Sequence, residues 1–139
     1  MSKLTITINK GSANRLIANL NAKQRVLINA ASEGVQNVAD FAFEMAQESA
    51  PVVSGALKSS GQVTNTDSGE VIRRTISYGT SLTNPSGDPT SEYAVDRHEM
   101  YNPYKPEAYK WLERAVRSTG DDLFLEEVAR LLRQAIGSR

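Results

Sequence analysis

The chain has no cysteine, one histidine and one tryptophan among its 139 residues. The absence of cysteine removes disulfides, thiolate nucleophiles and sulfur-ligated zinc together, and a single imidazole leaves no histidine pair for most other metal sites. Net charge is lacking too. Sixteen acidic residues balance 16 basic ones, so no long-range field draws the whole chain to free nucleic acid, and the total favours protein partners over DNA while leaving room for a local basic stripe. No apolar run approaches the ~20 residues of a membrane span, so no membrane partner is expected. Met1-Ser2-Lys3 leads straight into alternating Leu4, Ile6 and Ile8 without the apolar segment of a signal peptide, which predicts a protein that stays in the cytoplasm where it is made. What is present, 40% hydrophobic and 23% charged residues, fits a single domain over 1–139.

The alternation at Leu4, Ile6 and Ile8 predicts a strand, ended by Gly11. Ser12 or Asn14 can cap a helix start. Leu16, Leu20, Leu27, Ala31, Val38, Ala42 and Met45 then fall at helical spacing with no proline before Pro51, which predicts one helix over about residues 13–49. At 1.5 Å per residue that rod is roughly 55 Å long, more than a domain of this size can cover with its own core, and another copy of the chain is the expected cover. Gly34 in mid-helix reads either as a close crossing with another backbone or as a plain surface glycine.

Gln62 to Thr66 and Glu70 to Tyr78 predict a hairpin around Asp67-Ser68-Gly69, with Ile72, Ile76 and Tyr78 on one face and Arg73, Thr75 and Ser77 on the other. Residues 80–91 hold two prolines, a glycine and almost no apolar side chain, the composition of a mobile loop that a partner orders; Asn84, Pro85, Asp88 and Pro89 are its candidate interface residues. Tyr93 and Val95 predict a short strand. Pro106 opens a helix with Ala108, Trp111, Leu112, Ala115 and Val116 on one stripe, and Gly120 stops it. Asp121 caps a last helix whose buried face is Val128, Leu131, Leu132, Ala135 and Ile136. The predicted fold class is α+β, a long N-terminal helix and C-terminal helices packed on a small antiparallel β-sheet.

Catalysis has little to work with. His98 lies between Asp96 and Glu99 in sequence, but no serine occupies a Gly-x-Ser-x-Gly elbow and no second histidine offers a metal pair, so a structural or interface hydrogen-bonding role is expected for His98 and Glu99. Adjacent acids at Asp121-Asp122 and Glu126-Glu127 read as caps and solvated faces. Arg73, Arg74, Arg97, Lys105 and Lys110 are candidates for passing contact with phosphate, without the aromatic interleaving of specific recognition. Among the aromatics clustered near the C-terminal third, Trp111 and Tyr93 are expected inside, with Tyr101 and Tyr104 nearer a partner.

The run Ala50-Pro51-Val52-Val53-Ser54-Gly55-Ala56-Leu57-Lys58-Ser59-Ser60 specifies a fixed elbow: Pro51 and Gly55 break the rod, and Ser54 can cap a fresh turn carrying Leu57. This A-P-x-x-[ST]-G-x-L-x-x-S pattern, with Ser91-Glu92-Tyr93-Ala94 through His98-Glu99-Met100 and then Lys105 to Ala115 after it, resembles in that order the tail-completion or neck proteins of tailed bacteriophages, the HK97 gp10-like group. The resemblance covers roughly residues 4–116. It implies that Pro51, Ser54, Gly55 and Leu57 join helix to sheet and that Tyr93 and Ala94 lie on the strand leading to the C-terminal helix. It further implies a homo-oligomeric ring, commonly a hexamer, in the neck or tail of the virion, against neck, connector and tail-tube proteins. DNA would pass only through the lumen, and no catalytic residue, cofactor or metal would be needed. A small dimeric adaptor or nucleic-acid-associated regulatory module, its long helix dimerising, is the alternative from another class. A minor hydrolase using His98 and a serine is a third.

Overall fold

The computed structural model describes residues 10–52, 55–68 and 71–137. Its elements run α1 (Lys10–Ser49), α2 (Ala56–Ser59), β1 (Gln62–Asn65), β2 (Arg74–Ser77), α3 (Thr90–Glu99), a 3-10 turn (Pro106–Ala108) and α4 (Trp111–Gly137). The architecture is the expected α+β one, with a two-stranded antiparallel sheet. The strand expected at Leu4 to Ile8 lies outside the described residues, as does Ser54.

Helix α1 is a 40-residue rod. Its buried positions are Ala30, Gly34, Val38, Ala42 and Ala46, with Ala50 just past its end, every fourth residue and almost all small. Small side chains let a second helix approach until backbones touch: a Cβ added to Gly34 would stand 3.0 Å from Val128 Cα, so the close crossing is made with the chain's own α4. Four residues advance about 40° beyond a full turn, so the stripe spirals around the rod. The cover tracks it through a break at Gly120 (φ 54°, ψ 162°), which splits α4 where the sequence places a stop. Asn37 Nδ2 donates to Glu127 Oε1 across the two helices at 3.0 Å.

Two residues expected on buried faces are not: Val116 is 48% exposed and Ile136 71%. Val116 lines an open depression beside Val35, Val38 and Ala42 of α1, and Ile136 another beside Val26 and Leu27, while Leu131 and Ala115 take the central places. The core gathers at the other end of the rod, where Ala46, Ala50, Leu57, Ala94, Trp111 and Ala115 meet, flanked by Tyr78, Tyr93 and Leu112.

The hairpin pairs Val63 with Ile76 and Thr64 with Thr75. Its strands are shorter than the sequence predicts because Asp67 replaces a rung: its carboxylate accepts the Arg73 N–H at 2.7 Å and the Arg74 guanidinium at 2.7 Å. These bonds, the backbone one first, hold the Asp67 carboxyl below the usual range. Arg74 also reaches back to α1, donating to Gln36 at 2.6 Å and Ser32 at 2.8 Å. The short strand expected at Tyr93 and Val95 is instead helix α3. Thr90, Ala94 and the partly covered His98 repeat every four residues toward the core, while Val95 is 70% exposed. The resemblance's strand at Tyr93 and Ala94 is corrected with it.

The packing sets two expected outcomes. Leu57, 5% exposed, plugs the elbow, so Leu57→Asp is expected to cost at least about 3 kcal/mol and abolish the cooperative thermal transition; an unchanged Tm would show the side chain idle. Hydrogen bonds from Arg130 and Asn37 hold Glu127 down from 4.5 to about 2. A folded value below the unfolded one stabilises above pH 4.5 and is lost as pH falls toward 2, so Glu127→Gln is expected to flatten the decline of Tm across that window. Identical acid limbs for parent and variant would remove Glu127 from the account.

Candidate functional site

The elbow is sewn from several sides. Gly55 takes φ 84°, a conformation in which other residues are strained, and holds the N-cap position of α2; its role is conformational, because a Cβ there would meet nothing within 4 Å. Ser60, buried, donates to Leu57 O at 2.6 Å and accepts from Gly79 N–H at 3.0 Å, tying the elbow to the end of the hairpin. Gln47 Nε2 donates to Lys58 O at 3.0 Å. The last turn of α1 carries no basic residue, yet Lys105 brings its ammonium from 55 positions away to Ala50 O at 3.1 Å, where a cation suits the helix dipole.

Residues 80–90 fold back on themselves. Thr90, fully buried, accepts from Thr80 N–H at 2.8 Å and donates to Thr80 O at 3.1 Å. Asn84 and Asp88 close the tip through Asn84 N–H to Asp88 O at 3.0 Å and Asp88 N–H to Asn84 Oδ1 at 3.0 Å. Asn84 and Asp88 are therefore used inside the loop, Pro85 is exposed at its tip, and Pro89 caps α3 from a half-buried position. Gly79 (φ 96°) allows α3 to cross closely, since a Cβ would stand 3.1 Å from Ser91 Cα.

His98 sits edge-on to Trp111, ring centroids 4.9 Å apart. Its Nε2 faces the Glu113 N–H at 3.4 Å and its Nδ1 lies 2.8 Å from Glu99 Oε1, so the neutral ring carries its proton on Nδ1 and donates it to the carboxylate. That bond, with Lys110 adding to it, holds Glu99 below the usual carboxylate range. Lys110 (φ 49°) turns the chain so that its N–H meets His98 O at 2.8 Å, and its ammonium lies between Glu113 at 3.5 Å and Glu99 at 3.8 Å, which raises its pKa. Trp111 is 1% exposed. Neither its Nε1 nor the Tyr78 hydroxyl finds a partner among the described residues, and burial pushes that hydroxyl up to about 12.

Of the sequence-predicted aromatics, Trp111 is inside, Tyr93 packs half-buried against the core, and Tyr101 and Tyr104 are exposed, Tyr104 at 95%. Both ring nitrogens of His98 are engaged within the fold. The phosphate-contact candidates are mostly engaged as well: Arg74 is buried between Asp67 and α1, Lys105 caps α1 and Lys110 bridges two acids. Sequence reasoning missed Thr90, and it missed the ties that Ser60 makes to the hairpin and Arg74 to α1. Pro89-Thr90-Ser91-Glu92, a proline ahead of a polar first turn with an acid, was the available sign of a helix start.

A run of uncovered apolar side chains lies elsewhere, on α1 before Ala30. Over residues 17–29 only Leu27 is half-covered, and Ile17 and Leu20 are each more than half exposed. Phe41 and Leu123 line a second apolar depression of about 340 Å³ between α1 and α4. Among the described residues no group of three or more His, Asp or Glu could hold a metal ion, and no helix is long and apolar enough to cross a membrane. No protein-family model, no curated protein and no solved structure matches the chain.

The histidine contact is measurable through the single tryptophan. His98→Ala is expected to cost about 1 kcal/mol of stability and shift the Trp111 emission to the red as water reaches the indole. Parent-like stability and emission would show that the ring does not seal the core.

Proposed function

We propose that the chain is a non-catalytic structural subunit that assembles with copies of itself into a ring at the head-tail junction, or at the head-proximal end of the tail, of a tailed bacteriophage. The observation that carries this reading is the uncovered N-terminal part of α1. Water faces Ile17, Leu20 and Ile28 on a helix that isolated propensity alone would hold poorly, and such a face is stabilised when a neighbour removes it from solvent. The order of the elbow, the Tyr-Ala segment and the Trp111 helix supports placing the ring in a phage neck or tail.

In this reading the rigid elbow fixes the angle between rod and hairpin, so identical contacts repeat around a closed ring, sixfold by the resemblance. The Asn84–Asp88 tip and the exposed Tyr101 and Tyr104 face the adjoining connector or tail-tube ring. Phage DNA passes through the lumen without being read. Subunits are made in the bacterial cytoplasm and end in the virion. His98 serves by bonding within the fold, and no metal or cofactor has a role.

Electron microscopy of the purified chain and of labelled particles tests this. Closed rings in solution and label at the junction between head and tail are the expected result. A monomer at every concentration, or particles without the protein, would overturn it.

A further inference from the structure

The charges of α1 are sorted along its axis. Lys10, Arg15, Lys23 and Arg25 are the only charged residues over 10–32, and Glu33, Asp40, Glu44 and Glu48 the only ones over 33–49. This order opposes the helix dipole, which favours acids in the first turns and bases in the last. Asp40, Glu44 and Glu48 also repeat at four-residue spacing, where like charges repel. Glu33 lies near Arg130 and Asp40 accepts from Gln36, but among the described residues Arg15, Lys23, Arg25, Glu44 and Glu48 form no ion pair, so these five charges find no described counterion within the subunit.

A partner with the reverse order of charge would compensate it, and this chain is such a partner. The basic segment 10–25 and the acidic segment 33–48 are each about 24 Å long at 1.5 Å per residue. Their apolar surfaces match in kind. The basic arm exposes Ile17 and Leu20; on the acidic part Phe41 is 46% exposed beside Leu123, over the depression between α1 and α4. Exposed Asp122 and Glu126 continue the acidic rim onto α4.

We propose that the basic arm of one subunit, residues 10–25, docks on the acidic Phe41–Leu123 face of a second copy. The inference rests on the self-assembly reading above and adds the contact that drives it. Arm and face are separate patches, so the contact repeats from copy to copy until a ring closes. Apolar burial supplies the affinity, and opposite charge sets the direction and register.

Full-length chains carrying Arg15→Glu, Lys23→Glu and Arg25→Glu, or carrying Asp40→Lys, Glu44→Lys and Asp122→Lys, test it by sedimentation velocity. Each set alone is expected to weaken self-association at least about tenfold, and an equimolar mixture to restore it as mixed assemblies, because every arm then meets a face of opposite charge. Should circular dichroism show lost helix in either set, a salt titration of the parent decides: association that weakens with salt supports the docking, and indifference to salt overturns it. Parent and both sets assembling alike would overturn the docking and leave the ring standing. A pair that stops at the dimer but obeys the charge exchange would keep the docking and remove the ring. A monomeric parent would end both, and an arm that instead binds duplex DNA while self-association ignores its charge would overturn the docking alone.

Discussion

The structure depends on how closely a second helix can lie on α1. A residue of ordinary size at Gly34 would drive Val128 away, and larger side chains at Ala42, Ala46 or Ala50 would lift the cover from the rod. Because the small residues recur at four rather than 3.6 positions, the contact line turns around the rod, and a straight covering helix would leave it. The break at Gly120 lets the two parts of α4 meet different sides of α1. One part delivers Trp111 to the elbow, and the other seats Leu131 near Gly34.

That arrangement concentrates the core at one end. Around Trp111 the protein has an apolar cluster, a hydrogen-bonded elbow and a histidine held on both nitrogens. Before Ala30 it has a solvent-facing helix that keeps apolar side chains in water. The contrast is one between a fixed platform and a protruding arm. Rod, elbow and hairpin hold the platform's geometry, and the arm supplies surface that a single copy leaves uncovered.

Much of this was legible in the sequence where a single local cause dominates. Pro51 and Gly55 ended the rod, Gly120 broke the last helix, and the alternation from Ile72 to Tyr78 gave the hairpin faces, because each arises from backbone sterics or a repeat within a few residues. Tyr93 and Val95 misled because two apolar residues two apart resemble a strand, whereas the inward set, buried Thr90 and Ala94 with half-buried His98, contains only one apolar aliphatic side chain. Long-range polar ties were invisible for a different reason. Arg74 with Ser32, Lys105 with Ala50 and Ser60 with Gly79 join residues far apart in the chain, and no local pattern announces them. The division of charge along α1 was in plain sight, hidden only by a total that sums to zero.

The central claim is that the N-terminal arm of α1 is left exposed by the described residues of its own fold and covered by a neighbouring copy. Amide hydrogen exchange measured across a dilution series addresses it residue by residue. Residues 14–25 are expected to exchange fast in dilute protein and to become protected as concentration rises, while residues 30–50 stay protected throughout. Exchange in the arm that does not change with concentration would contradict the account.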